Sequence, residues 1–239
     1  MITSQLLDIP SYFVDERKRL RVSAFMELSQ QIAEDNSEAL GFGYNALIAS
    51  GDVWILSRMQ MRFLRMPRFK DKVRFETWHS GTEGPLFIRD YEMRSPEGEP
   101  MVLSNSSWAI MNLESRAVQR PDRFDIPRES LGRPSCLESA PRKIRIPADA
   151  VLEERMSREA RYSDVDYNHH VNNARYVVWA MDCMGEAAYQ DFTEINVNFN
   201  HELAPGASVE ILRYKAGSTY YIDVQDNGTH AFLASFRMD

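Results

Sequence analysis

The chain has 239 residues, 44% of them apolar and 26% charged, with a net charge of -7. That length suits one large domain or two of roughly 120 residues, with enough chain in either case to bury a core. The acidic balance argues against non-specific nucleic-acid binding, and no run approaches the roughly 18 consecutive apolar residues of a membrane span.

Residues 19–40 carry Leu20, Phe25, Leu28, Ile32, Ala33 and Leu40 near helical spacing. Gly41 and Gly43 close this first predicted helix, and Ser23 is a candidate cap at its start. Strands follow. Over 54–63, Met59, Met61 and Phe63 alternate with Arg58, Gln60 and Arg62, the period of a half-buried strand. Further strands are expected over 73–78, 86–94 and 101–111, with Pro96-Glu-Gly98 as a turn. A helix followed by hairpin-linked strands gives an α+β layer, helix on antiparallel sheet.

The second half repeats this order. Arg58-Met-Gln-Met-Arg-Phe aligns with Glu194-Ile-Asn-Val-Asn-Phe, an offset of 136 residues. At that offset Lys70-Asp71 meets Gly206-Ala207 and Val73 meets Val209. Gly98 meets Gly228 at an offset of 130, where Met101-Val-Leu meets Ala231-Phe-Leu. A second helix is expected over 171–189, and the first half spends about 14 more residues between helix and strand, in a loop around Gly43–Asp52. A tandem duplication follows, each half a long helix wrapped by an antiparallel sheet. The expected divisions are 1–113, a connecting segment 114–155 carrying Pro121, Pro127, Pro134, Pro141 and Pro147, and 156–239.

The chemistry concentrates just before the second helix. Between Asp164 and Asn173 lie two carboxylates, two imidazoles and three carboxamides. Asp166, Asn168 and His170 fall at alternate positions, which share a face in an extended segment. The helix start beside them offers unpaired N–H groups and a positive dipole end, suited to an oxyanion. Asn172 and Asn173 read as caps. The counterpart in the first half, Asp15-Glu-Arg-Lys-Arg-Leu-Arg-Val, has no Asn and no His, so the polar cluster is expected in the second half alone. His169, His170, His201 and Asp166 lack metal-ligand spacing, and no metal or other cofactor is expected. Cys136 and Cys183 form no disulfide framework, and Cys183 reads as a small buried hydrophobe. Residues 1–20 show no basic region followed by an apolar run. A reducing, cytoplasmic location is expected.

The run Tyr162-Ser-Asp-Val-Asp-Tyr-Asn-His-His-Val-Asn-Asn-Ala-Arg-Tyr-Val-Val-Trp179 resembles the signature of the acyl-ACP thioesterases, plant and bacterial enzymes with a double hotdog fold. Trp54-Ile-Leu-Ser-Arg-Met-Gln-Met, Trp78 and Trp108-Ala-Ile-Met-Asn-Leu resemble that family's first-hotdog strands. The resemblance implies hydrolysis of the thioester joining a fatty acyl chain to acyl carrier protein. It places the family's catalytic Asp, Asn and His on Asp166, Asn168 and His170, and a catalytic Glu on Glu202. Leu203 stands where plant members have a cysteine. In a regular strand Glu202 would share parity with Asn196, Asn198 and Asn200 and point away from the helix, so a bulge or the strand end must re-aim it, or His201 acts instead. Its first-half counterpart is Met66.

In the family the acyl chain lies in the first hotdog, between helix and sheet. Phe25, Met26, Leu28, Ile32, Trp54, Met59, Met61 and Phe63 are the candidate lining here. An acidic carrier protein would need local positive charge, offered by Arg62, Arg65, Arg68, Lys70, Lys72 and Arg74 or by Arg133, Arg142, Lys143 and Arg145. The assembly expected is a monomeric pseudo-dimer or a homodimer. An acyl-CoA thioesterase and a non-catalytic acyl-binding hotdog are the alternatives. A hotdog dehydratase would lack this Asn-rich helix start.

Overall fold

A computed structural model describes residues 1–124 and 131–238; Pro127 lies outside them. The chain divides into two compact units, Met1–Pro141 and Arg142–Asp239. The first holds β1 (Ile2–Asp8), α1 (Val22–Ala39), α2 (Tyr44–Ala49), β2 (Asp52–Phe63), β3 (Lys72–Glu83), β4 (Leu86–Arg94), β5 (Pro100–Asn112) and the short β6 (Val118–Gln119). The second holds β7 (Val151–Glu159), α3 (Asn173–Met184), β8 (Phe192–Phe199), β9 (Ser208–Ala216), β10 (Thr219–Asp226) and β11 (Thr229–Met238).

Each unit is one antiparallel layer with a helix on it. The strand order is β1-β3-β4-β5-β2 in the first and β7-β9-β10-β11-β8 in the second, the same order in duplicate. The registers repeat as well: Asp8 faces Lys72 as Glu159 faces Ser208, and Phe63 faces Val102 as Phe199 faces Phe232. Turns repeat with them, since Lys70 and Gly206 both have positive φ (69° and 79°), as do Gly98 and Gly228 (91° and 79°). Both offsets read from the sequence therefore hold.

α1 lies on β1 and β3 and buries Val22, Phe25, Met26, Ile32 and Ala33. Ser23 does not cap it. Arg21 holds the N-cap position without a side-chain bond, and Ser23 is buried inside the first turn. α3 packs on β7, β9, β10 and β11 and buries Tyr176, Val177, Trp179 and Ala180. Each large apolar side chain so removed from water stabilises by about 1.5–3 kcal/mol. The expected loop around Gly43–Asp52 contains a helix, α2, and the second expected helix stops at Met184, where Gly185 takes a positive φ of 57°. A 3-10 turn continues to Tyr189.

The segment 114–155 is divided between the units. Residues 131–141 run as a strap over the outer face of the first sheet. Asp90, fully buried there, accepts from Ser135 Oγ (2.7 Å) and the Cys136 amide (2.8 Å), and Asn105 Nδ2 donates to Ser139 O (2.8 Å). Gly132 lets the strap approach Trp78, because a Cβ there would sit 2.4 Å from the Trp78 Cβ. Residues 151–155 belong to β7, the edge strand of the second sheet.

Candidate active site

The loop that carries the polar cluster exists twice. In residues 11–21 a 3-10 turn leads to a bridge between Val14 and Leu20 and then into α1; in residues 162–172 a 3-10 turn leads to a bridge between Val165 and Val171 and then into α3. Asp15 N–H donates to Arg19 O (2.8 Å) as Asp166 N–H donates to His170 O (3.0 Å). Lys18 and His169 both take left-handed φ, 61° and 62°. One carboxylate oxygen of each Asp accepts the amide of the residue two further on, Arg17 or Asn168, at 2.9 Å. The expectation that this stretch is absent from the first half thus holds for Asn and His but fails for the backbone and the Asp. The expected extended run is also a tight turn. Asp166 and His170 are brought together by turn hydrogen bonds, and Asn168 is left exposed near the tip. The Asn168 carboxamide makes no hydrogen bond to the described residues.

Glu202 reaches the loop because β8 ends early. After Phe199 the amides of Asn200 and His201 both point at Ala231 O (2.9 and 3.4 Å), a bulge that breaks the alternation. Leu203 takes the buried place, and the Glu202 carboxylate stands with Oε1 3.7 Å from His170 Nε2. The first unit builds the same bulge, with Leu64 and Arg65 both on Met101 O (2.9 and 3.1 Å), and puts half-buried Met66 where Glu202 stands. The strand end is tied to the loop by Val171 N–H to Leu203 O (2.9 Å), as Leu20 N–H is tied to Pro67 O (2.8 Å). His201 does not join this group. Its Nε2 lies 3.7 Å from Asp226 Oδ2.

Two supporting residues carry more than their sequence positions suggested. Asn172 caps α3 by accepting the Ala174 amide (2.9 Å), and its Nδ2 also donates to Asp166 Oδ2 (3.2 Å). Tyr176, one helical turn on, accepts through its hydroxyl oxygen the amide N–H of Leu203 (3.0 Å), the residue after Glu202. Its ring is buried against Phe232 and Trp179, with centroids 5.4 and 5.5 Å away. Burial pushes its phenol well above the usual tyrosine range, and Glu202, Asp226 and Asp166 add to the rise. The available signal was the i, i+4 spacing from Asn172, with a buried hydroxyl that needs a partner. Burial pushes the Cys183 thiol up to about 11, which suits an inert packing residue. Among the described residues no cluster of three or more His, Cys, Asp or Glu could hold a metal.

The first unit encloses a pocket of about 620 Å³, open mouth included. It lies between the second half of α1, with Gln30, Ala33 and Ser37, and the aromatic side chains Trp54, Phe87 and Trp108. Of the eight candidate lining residues only Trp54 borders it. Phe25, Met26, Ile32, Met59, Met61 and Phe63 fill closed core, and Leu28 is half-buried outside the pocket. The first half of α1 is sealed by contacts such as Phe25 on Phe75 (5.5 Å), whereas small Ala33 and Ser37 leave space further along. The basic clusters shrink too. Arg62 holds Glu138 through both nitrogens (2.9 Å each), and Arg133 binds Glu76 (2.9 Å) and Glu92 and stacks 3.9 Å over Trp78.

Comparison with known proteins agrees with this architecture. Residues 2–123 match the family model described as the acyl-ACP thioesterase N-terminal domain, and residues 150–231 match the C-terminal domain. A chloroplastic acyl-[acyl-carrier-protein] hydrolase of Cuphea viscosissima is 23% identical over 248 residues, covering 95% of this chain and 56% of the relative. A chloroplastic oleoyl-acyl carrier protein thioesterase of Arabidopsis thaliana is 26% identical over 190 residues, covering 73% and 52%. The chain spans about half the length of these curated relatives. Among solved structures, an acyl-ACP thioesterase from Bacteroides thetaiotaomicron superposes with a TM-score of 0.88 at 20% identity, over 100% of this chain and 98% of that one. The 12:0-ACP thioesterase of Umbellularia californica gives 0.88 at 20%, over 100% and 97%. These structures have the hotdog fold. No helix among the described residues is long and apolar enough to cross a membrane. With both family models matched in order, the chain belongs to the acyl-ACP thioesterase family.

Proposed function

We propose that this protein hydrolyses the thioester of fatty acyl-[acyl carrier protein], releasing the free fatty acid and the carrier's thiol. The observation that carries the reading is the His170–Glu202 pair, 3.7 Å apart beside the start of α3. Glu202 takes a proton from water, and the hydroxide attacks the thioester carbonyl. His170 and Asn168 face the developing oxyanion. The C–S bond then breaks, and the departing thiolate takes the proton held by Glu202, which restores the carboxylate. No cofactor is needed for this sequence. Asp166 shapes the loop. Both its oxygens already accept hydrogen bonds, and Asp15 does the same work in a unit without the other groups, which favours orientation over nucleophilic attack.

Acyl binding falls to the first unit and chemistry to the second in this reading. Exposed Arg65, Arg68, Lys70, Lys72 and Arg74 of the first unit, and exposed Arg142, Lys143 and Arg145 of the second, are basic side chains available to an acidic carrier protein. Two unpaired cysteines fit a reducing compartment such as the cytoplasm. The test is turnover of acyl-ACP against acyl-CoA over a range of chain lengths, with Glu202→Ala and Asp166→Ala beside the unsubstituted enzyme. Undiminished hydrolysis by both variants would sink the site. Faster turnover of CoA esters would move the assignment to an acyl-CoA thioesterase, and no turnover of either ester to an acyl-binding protein.

A further inference from the structure

The pocket of the first unit combines aromatic and apolar walls with a buried polar cluster. Its deeply buried lining includes Arg89 (8% exposed), His79 (7%) and Ser37 (7%), while Trp54 and Trp108 are only partly buried. Arg89 shares a face of β4 with Phe87 and points its guanidinium at α1. Nη1 donates to Asn36 Oδ1 (2.7 Å) and Thr77 Oγ1 (3.3 Å), and Nη2 to Ser37 Oγ (3.1 Å). Every acceptor is neutral, and no carboxylate lies within ion-pair distance among the described residues. Glu34 also borders the pocket, but its Oε1 accepts the Tyr44 amide (2.9 Å). The Nε–H and one Nη2–H of Arg89 remain without an acceptor among the described residues. Beside it, His79 Nδ1 meets Ile88 O at 2.9 Å, so the neutral ring keeps Nε2 as an acceptor. Burial lowers the His79 pKa and keeps that neutral form dominant.

A hydrocarbon tail pushed against this cluster would strip water from the guanidinium and return no hydrogen bond. We propose that Arg89 sets the acyl-chain length: a plain chain ends short of the guanidinium, and a longer chain is admitted when its terminus carries a hydroxyl. This rests on the pocket being the acyl site of the thioesterase proposed above. Arg89 acts as a specificity residue and takes no part in the chemistry.

The experiment measures kcat/KM for saturated acyl-ACPs of increasing length and for matched ω-hydroxyacyl-ACPs, with the unsubstituted enzyme and Arg89→Met. Binding of the corresponding free acids is followed in parallel by tryptophan fluorescence, since Trp54 and Trp108 form the walls. The unsubstituted enzyme is expected to lose about tenfold or more when the best saturated chain grows by two carbons, and to recover about tenfold with the ω-hydroxyl. Arg89→Met is expected to shift its optimum to longer saturated chains and to lose the hydroxyl gain. An unchanged optimum in folded Arg89→Met, or a hydroxyl penalised equally in both proteins, overturns the proposal. Because Arg89 also ties α1 to the sheet, the variant is checked by thermal melting; if it does not fold, the ω-hydroxy series on the unsubstituted enzyme decides alone. Retained acid binding without turnover of any ester would defeat the thioesterase reading, and the binding series would then decide the length proposal by itself.

Discussion

The Tyr176 hydroxyl offers the sharpest test of how the site is held. Tyr176→Phe keeps the ring against Phe232, Trp179 and Phe199 and removes one oxygen. That oxygen accepts the Leu203 amide at 3.0 Å, and Leu203 is only 1% exposed, so no water replaces it freely. The cost is the lost hydrogen bond plus a buried N–H without a partner, about 2 kcal/mol in all. For a chain of this length that is a fall in melting temperature of roughly 4–8 °C. Leu203 O holds Val171, and Leu203 follows Glu202, so the same deletion loosens the strand end that presents the carboxylate to His170. A fall in kcat of about tenfold with little change in KM is expected, because Tyr176 is too buried to bind substrate directly. The measurements are a thermal melt and steady-state turnover of one acyl-ACP. A melting temperature within a degree of the unsubstituted enzyme would refute the hydrogen-bond argument. Lost stability with unchanged kcat would refute the claim that this bond positions Glu202.

Glu202→Gln removes the proposed base with little change in shape, and kcat is expected to fall by about 10²–10⁴ with the fold intact by circular dichroism. Asp15→Asn and Asp166→Asn weaken equivalent loops, so both are expected to cost about 1–2 kcal/mol in urea unfolding, but Asp166→Asn alone should slow turnover by tenfold or more. Equal activity loss in the two would place Asp166 outside the chemistry's support. Gly132→Ala drives a Cβ to 2.4 Å from the Trp78 side chain and is expected to destabilise by about 1–3 kcal/mol, read as loss of protection at the strap amides in hydrogen exchange.

What the sequence displayed and what it hid follow from how each element is stabilised. β2 and β8 were legible because one face of each buries alternating side chains, and α1 and α3 because each buries a stripe. β1 and β7 were not. Both are edge strands held by backbone ladders, and Leu6 of β1 is 79% exposed while its partly buried Thr3 and Gln5 bond Asn36 and Asp35. Their residues carry no apolar period to read. α2 is six residues long and buries only Leu47, too little for a helical pattern. The parity conflict at Glu202 was a correct reading of strand chemistry, and the bulge at Ala231 that resolves it is a backbone event without its own side-chain signal. The open space along α1 had no sequence signal of its own, because Met and Phe mark where a helix is filled, whereas the pocket is bordered by Ala33 and Ser37.

The duplication also explains how a site arises on this loop without a change of backbone. In the first unit Asp15 is spent on an ion pair, its Oδ2 2.9 Å from Arg19 Nε. His170 occupies the Arg19 position in the second unit. There Asp166 has no guanidinium to hold, and the Asn172 amide, at the position of Arg21, satisfies its second oxygen instead. The imidazole at 170 is thereby left to meet the carboxylate at 202, where the first unit has Met66. Of the exchanges on this shared backbone, Arg17 to Asn168, Arg19 to His170, Arg21 to Asn172 and Met66 to Glu202 are the ones that supply the side chains of the proposed site. The backbone turn, the left-handed residue, the Asp and the bulge are common to both. They are the scaffold of the site, and substitutions there should damage stability in either unit, whereas substitutions at Asn168, His170 and Glu202 should affect activity and leave stability nearly untouched; Asn172, which caps α3, should affect both.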